Sequence, residues 1–174
     1  MSSPNPQRAK IHFPPAYPTL TCPSLILFGT IEASSTSDWA TNLTNHLSDL
    51  PIQILNPRRD DWDSSWVEDA SFPPFKEQVE WEMHFPAEVG LIVIFFKAGS
   101  LCPVSLIELG MYASVRPGET VVCCEEGFWK KGNVDVVCKK FGVEVVRTVG
   151  ELERCVRGRM VGLCGYRDEE KGEW

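Results

Sequence analysis

Gly90-Leu-Ile-Val-Ile-Phe-Phe-Lys-Ala-Gly-Ser-Leu-Cys-Pro-Val-Ser-Leu-Ile-Glu-Leu-Gly110 decides the fold of this 174-residue chain. Gly90 to Phe96 is an apolar run with the length of a buried strand, far too short to cross a membrane. Small residues and Pro103 then turn the chain. A helical pattern from Pro103 to Val115 follows, carrying one acid, Glu108, among apolar neighbours. Ionised side chains are seldom buried without a partner or a task. A strand that passes through a Gly/Ser/Pro turn into a helix bearing a lone carboxylate marks the place where an open α/β sheet puts ligand chemistry.

The same alternation extends to both sides. Ser24 to Gly29, Ile52 to Leu55, Thr120 to Cys124 and Val143 to Arg147 are expected strands. Asp38 to Leu47, Phe75 to Phe85, Asn133 to Phe141 and Val149 to Arg157 are expected helices, with Ser37 or Asp38 capping the first and Asn133 the third. Strands alternating with helices imply a parallel sheet covered on both faces. The expected fold is a flavodoxin-like, doubly wound, five-stranded sheet in the order 2-1-3-4-5. In that order the segments Gly29 to Asp38 and Lys97 to Glu108 face one crevice. Residues 1–23 hold six prolines and read as an extended arm ahead of a single domain over 24–160; a charged tail, 161–174, follows.

Composition narrows the functional classes. A net charge of -7 with pI near 5.0 gives no electrostatic footprint for a nucleic-acid polymer or an anionic membrane, although a single nucleotide can still bind locally. Seven cysteines are an odd count without CxxC spacing, and Met1 to Leu20 lacks a signal-peptide core, so reduced thiols in a cytoplasmic protein are expected. The three histidines, at 12, 46 and 84, lie far apart; neither a metal nor a cofactor is expected.

Several groups can carry chemistry. Glu108 is near enough to its helix N-terminus for the dipole to favour an anion, and such a carboxylate either offsets the dipole or attacks an anomeric carbon. Gly29-Thr30-Ile31 is either a plain turn or a loop that lets a ligand approach the backbone. Asn56-Pro-Arg58-Arg59 offers cationic forks that meet a phosphate or pair with Asp60, Asp61 and Asp63. Gln78 and Glu82 share a helix face able to hydrogen-bond sugar hydroxyls. Trp62, Trp66 and Trp81 either stack a planar base or fill the core.

Taken in order, the strand ending in Gly29-Thr-Ile, Asp38-Trp39 at a helix start, Asn56-Pro-Arg-Arg59, Gln78-Val-Glu-Trp-Glu82 and Pro103-Val-Ser-Leu-Ile-Glu-Leu-Gly110 resemble the nucleoside 2-deoxyribosyltransferase-like proteins. The resemblance implies cleavage or exchange of the N-glycosidic bond of a 2-deoxyribonucleoside or its 5′-monophosphate, with Glu108 as nucleophile and Glu82 as the sugar-binding acid. It also implies that Gly29, Thr30 and Ile31 line the base side, that Asp38, Asn56, Arg58 and Gln78 belong to the substrate site, and that the protein is a homo-oligomer. Three positions depart from the pattern. Gly90 and Glu82 stand where relatives often carry an acid and the shorter Asp. Cys102 stands where relatives use Asp or Ser to touch the sugar or phosphate; Ser100 or Ser105 can supply the missing hydroxyl.

Overall fold

The computed structural model describes residues 8–31, 38–59, 61–63 and 65–165. Ser37 as an alternative cap, Asp60 as an ion-pair partner and the tail from Tyr166 lie outside them. The described elements are β1 (Lys10–His12), β2 (Ser24–Gly29), α1 (Trp39–His46), β3 (Gln53–Leu55), α2 (Pro73–His84), β4 (Leu91–Phe96), α3 (Pro103–Val115), β5 (Thr120–Cys124), α4 (Lys131–Phe141), β6 (Glu144–Val146) and α5 (Val149–Leu163). All strands pair in parallel, in the order β1-β3-β2-β4-β5-β6.

Strands β3-β2-β4-β5-β6 reproduce the expected order 2-1-3-4-5. The sheet nevertheless has six strands, not five. Lys10–His12, within the stretch read as an unpacked arm, pairs with β3 in the register Lys10 to Gln53 and His12 to Leu55. The arm is tied down further along. Gln53 accepts from the Thr21 amide at 2.8 Å and donates to the Thr19 carbonyl at 3.1 Å, while Trp81 Nε1 donates to the Ala16 carbonyl at 2.7 Å. A three-residue strand between prolines has no periodicity to betray it, because its stability comes from a neighbour's unpaired edge.

Alternation along β4 divides the core. Leu91, Val93 and Phe95 face α1 and α5, packing with Leu43, Leu47, Leu152 and Val156; Ile92, Ile94 and Phe96 face α2, α3 and α4, packing with Trp81, Phe85, Leu109 and Val134. Trp81 is completely buried, which removes it from the aromatics open to a base. The helix after β2 covers one face and the helix after β4 the other. The crevice therefore opens between the C-terminal ends of these two neighbouring strands.

Cap chemistry accounts for the helix limits. Asp38 caps α1, accepting from the Thr41 amide at 2.7 Å. Asn133 is not a cap: α4 starts at Lys131, two residues earlier, and ends at Gly142 in the left-handed region (φ 77°). Helix α5 starts from a Thr148/Glu151 capping box and runs to Leu163, well beyond Arg157, because Val156 and Met160 continue its buried stripe. Leu163 covers Gly90, where an added Cβ would lie 3.1 Å from Leu163 Cδ1. Gly90 thus sits at the far end of β4 from the crevice, about 20 Å away along the strand.

Candidate active site

Gly29 ends β2 with φ 135°, and a Cβ there would stand 2.3 Å from the Phe95 carbonyl oxygen, so only glycine fits between β2 and β4. Thr30 follows and is fastened on all sides. Its amide donates to Phe95 O (2.9 Å), its hydroxyl accepts from the Lys97 amide (3.1 Å) and shares a 2.8 Å hydrogen bond with Ser100, and its carbonyl accepts from Trp39 Nε1 (2.8 Å). These bonds lock the loop after β2 to the loop after β4. Ile31, next in line, is 69% exposed and faces solvent.

The turn into α3 passes through Cys102, the one non-glycine residue with positive φ (46°) among the described residues. Its thiol lies near the Thr30 and Ser105 hydroxyls; burial raises its pKa, the hydrogen bonds to Ser105 and Thr30 oppose this, and the charge of Glu108 adds to it. Two turns of helix then place Ser105 and Glu108 on the inward face, both more than nine-tenths buried. Burial pushes the Glu108 carboxyl up to about 8, a hydrogen bond from Ser105 pulls the other way, and the charge of Glu82 pushes it further up.

Helix α2 supplies the opposing wall. Gln78 Nε2 donates to Pro57 O at 2.8 Å and to Glu82 Oε1 at 2.7 Å, which uses both amide hydrogens and leaves Gln78 Oε1 as acceptor. Burial raises the Glu82 pKa and the Gln78 bond opposes it. Gln78 Oε1 and Glu108 Oε2 are both buried with no hydrogen-bond partner among the described residues. Buried polar atoms left without partners are uncommon in a native fold and concentrate at functional sites.

The remaining expected residues gather beside this wall rather than in it. Arg58 pairs with Asp38, and its amide donates to Asn56 Oδ1 at 3.1 Å. Arg59 is buried by Asp61 (2.8 Å) and Glu77 (2.9 Å) and lies over Trp66, which with Trp62 and Phe72 forms a separate aromatic cluster. The forks are therefore occupied by carboxylates of the chain itself. One residue escaped the sequence reading. Tyr112 stands one helical turn beyond Glu108 and stacks on Phe28, with centroids 6.0 Å apart and planes at 7°. The i, i+4 spacing from Glu108 was the available signal.

A different opening, a groove of about 260 Å³ between α3 and α4, is lined by apolar side chains such as Leu106, Leu109 and Val137, with Lys130 and Asn133. It is lined by no carboxylate, so the crevice at Glu108 is the better candidate. Among the described residues no group of His, Cys, Asp or Glu could hold a metal ion, and no helix is long and apolar enough to cross a membrane.

One solved structure, a conserved protein from Enterococcus faecalis V583, superposes with a TM-score of 0.52 at 12% identity, covering 80% of this chain and 99% of that one. At that identity the likeness concerns the fold alone. No curated protein matches the chain. The model of the family described as nucleoside 2-deoxyribosyltransferase like matches residues 22–128, a span that contains Gly29, Glu82, Cys102 and Glu108, and the chain belongs to that family.

Proposed function

We propose that this protein cleaves or transfers the N-glycosidic bond of 2-deoxyribonucleosides or their 5′-monophosphates by double displacement through Glu108. The observation that carries the reading is Glu108 itself: a carboxyl more than nine-tenths buried, with Oε2 unpartnered, on the helix that follows the central strand and opposite Glu82. In the first step a Glu108 oxygen bonds to the anomeric carbon while the bond to the base nitrogen breaks and the base leaves with that electron pair. Glu82, whose pKa is also raised, is the group suited to hold a proton for the leaving base. In the second step another base, or water, attacks the same carbon and frees the Glu108 carboxylate. Water as acceptor makes the enzyme a hydrolase, and a base makes it a transferase.

The test is a panel of nucleosides and 5′-monophosphates, with and without an acceptor base, followed by chromatography. Glu108→Gln and Glu108→Ala are expected to abolish base release and exchange. An undiminished rate in either variant overturns the reading. A 5′-phosphate would find Arg58 already paired with Asp38, so the comparison of nucleoside with monophosphate decides whether that ion pair opens for substrate.

The outer face of α3 supports a homodimer. Val104, Ile107, Met111 and Val115, all exposed, form a stripe at helical spacing beside the small residues Gly110 and Ser114. That face carries no charge in a protein of net charge -7, so a second copy can pack there without repulsion at the seam. Light scattering should give twice the chain mass, and Ile107→Asp should halve it. Seven free thiols support a reducing compartment, the cytoplasm.

A second reading is favoured by the Glu108 pKa of about 8, which leaves the group largely protonated at neutral pH in the absence of ligand. On this reading the protein binds a nucleotide-like molecule without turnover. Trapping of a sugar ester on Glu108 excludes it; ligand-dependent stabilisation without product after long incubation supports it.

A further inference from the structure

Gln78 and Glu82 stand four residues apart on α2, and helical side chains lean toward the N-terminus, so the Glu82 carboxyl is carried back onto the Gln78 amide. The bond between them is short: Gln78 Nε2 donates to Glu82 Oε1 at 2.7 Å. On a solvated helix face such a pair would support its own helix and no more. Here Gln78 is only 6% exposed, and its second amide hydrogen leaves the helix for the Pro57 carbonyl, at 2.8 Å, just beyond the end of β3. Glu82 is thereby referenced to the end of a sheet strand as well as to its own helix.

Both partners are acceptors, which fixes the way the amide faces. Turning it over would set Gln78 Oε1 against the Pro57 carbonyl and the Glu82 carboxylate, so both hydrogen bonds would be lost and repulsion would replace them. A glutamate side chain turns about several bonds, and an acid that must meet a leaving base works only when it is held in place. The Gln78 amide takes one carboxylate oxygen and leaves the other for a second partner. The same bond opposes burial in setting the Glu82 pKa. Glu108 and Tyr112, both of α3, are the titratable groups that the charge of Glu82 reaches.

We propose that Gln78 is a positioning residue: anchored on the Pro57 carbonyl, its amide holds Glu82 by one oxygen so that the other meets the base as the glycosidic bond breaks. The proposal rests on the reading of Glu82 as proton holder for the leaving base, and it gives Gln78 a task apart from touching sugar hydroxyls. In that step a Glu108 oxygen bonds to the anomeric carbon, the bond from that carbon to the base nitrogen breaks, and its electron pair goes to the base. The proton passes from Glu82 to a nitrogen of the base and leaves Glu82 as a carboxylate. A charge-assisted bond from Gln78 is stronger to that carboxylate than to the acid, so it favours the transition state over the resting enzyme.

Three experiments on the full chain test this. In the unaltered protein, the two side-chain amide protons of Gln78 should resist solvent exchange, and one should shift in NMR spectra as Glu82 titrates. Protons that exchange freely and ignore that titration overturn the proposal. Gln78→Met keeps an unbranched side chain of similar length and removes both donors. Its Glu82 midpoint should rise by about one pH unit, a tenfold change in proton affinity. Base release should fall roughly 10- to 100-fold in kcat with KM nearly unchanged, whereas a deoxynucleoside of 7-methylguanine, whose base is already cationic and leaves without a proton, should lose less than about twofold. A merely structural role would slow both substrates alike; equal losses overturn the proposal, as does an unshifted midpoint. In Glu82→Asp the shorter carboxylate draws away from Gln78, so adding Gln78→Met should cost little more, and a full additional loss overturns the proposal. If the midpoint shifts but the parent turns over no nucleoside, the glycosidic reading fails and the Gln78–Glu82 clamp stands.

Discussion

Two acidic regions flank the crevice and have opposite electrostatics. Around Asp38, the described charges pair with one another: Asp38 caps α1 and pairs with Arg58, while Arg59 is enclosed by Asp61 and Glu77. Around Glu108, acids face acids, two buried acceptors lack partners, and both Glu82 and Glu108 are pushed toward their protonated forms. The first arrangement stabilises the fold and has nothing left to offer a ligand. The second costs stability and leaves groups that a ligand can satisfy. Perturbed titration inside a crevice is the expected mark of a reacting site, and satisfied ion pairs are the mark of a scaffold.

The sharpest way to break this contrast is Glu108→Gln, expected to lower glycosidic turnover at least a thousandfold, about 4 kcal/mol of transition-state stabilisation. The same variant should be more stable than the parent at alkaline pH. A carboxyl raised from 4.5 to about 8 keeps in the folded state a proton that the unfolded chain has lost. Stability from this group is therefore complete below pH 4.5, falls as pH climbs to about 8 and stays low above it, a difference on the order of 5 kcal/mol. Urea unfolding at pH 5 and pH 8.5 should show the variant gaining on the parent only at the higher pH. Equal gains at both would mean that the buried charge is not the cause.

Gly29→Ala ranks next, because the new methyl meets the Phe95 backbone and the residue is held at φ 135°. It should cost roughly 3 kcal/mol or prevent folding, read as a lowered midpoint in thermal unfolding. Asp38→Ala removes a cap and the partner of a partly exposed arginine. A loss of about 1–2 kcal/mol is expected, with activity affected less than stability. Smallest of all, Trp62→Ala in the solvent-facing aromatic cluster should change stability by under about 0.5 kcal/mol and leave turnover intact. A large effect on nucleoside affinity would instead move that cluster into the substrate site.

Legibility followed locality. The passage from Gly90-Leu-Ile to Glu108-Leu-Gly was readable because β4 alternates into both cores and α3 starts at a proline, features set within a few residues. The order of the central strands was readable for a similar reason: short crossovers in a right-handed parallel sheet leave few arrangements. By contrast, β1 was invisible, since Lys10–His12 becomes a strand only beside β3. The early start of α4 was missed because Asn133 is a good cap that the structure does not use, and the length of α5 because its last turns follow buried positions across the sheet.

Residue types and spacing by themselves determined the α/β class and the central strand order, because periodicity and turn chemistry act over a few residues; Glu108 and Glu82 stood out as a pair only through the family resemblance. Only the tertiary structure decided which acids are satisfied and which are not. Desolvation, the charge of Glu82 acting on Glu108 across α2 and α3, and the stacking of Tyr112 on Phe28 depend on segments far apart in the chain. For that reason Arg58, whose fork the sequence left open to a phosphate or a carboxylate, pairs with Asp38, and Tyr112, which spacing passed over, lies one turn beyond the candidate nucleophile.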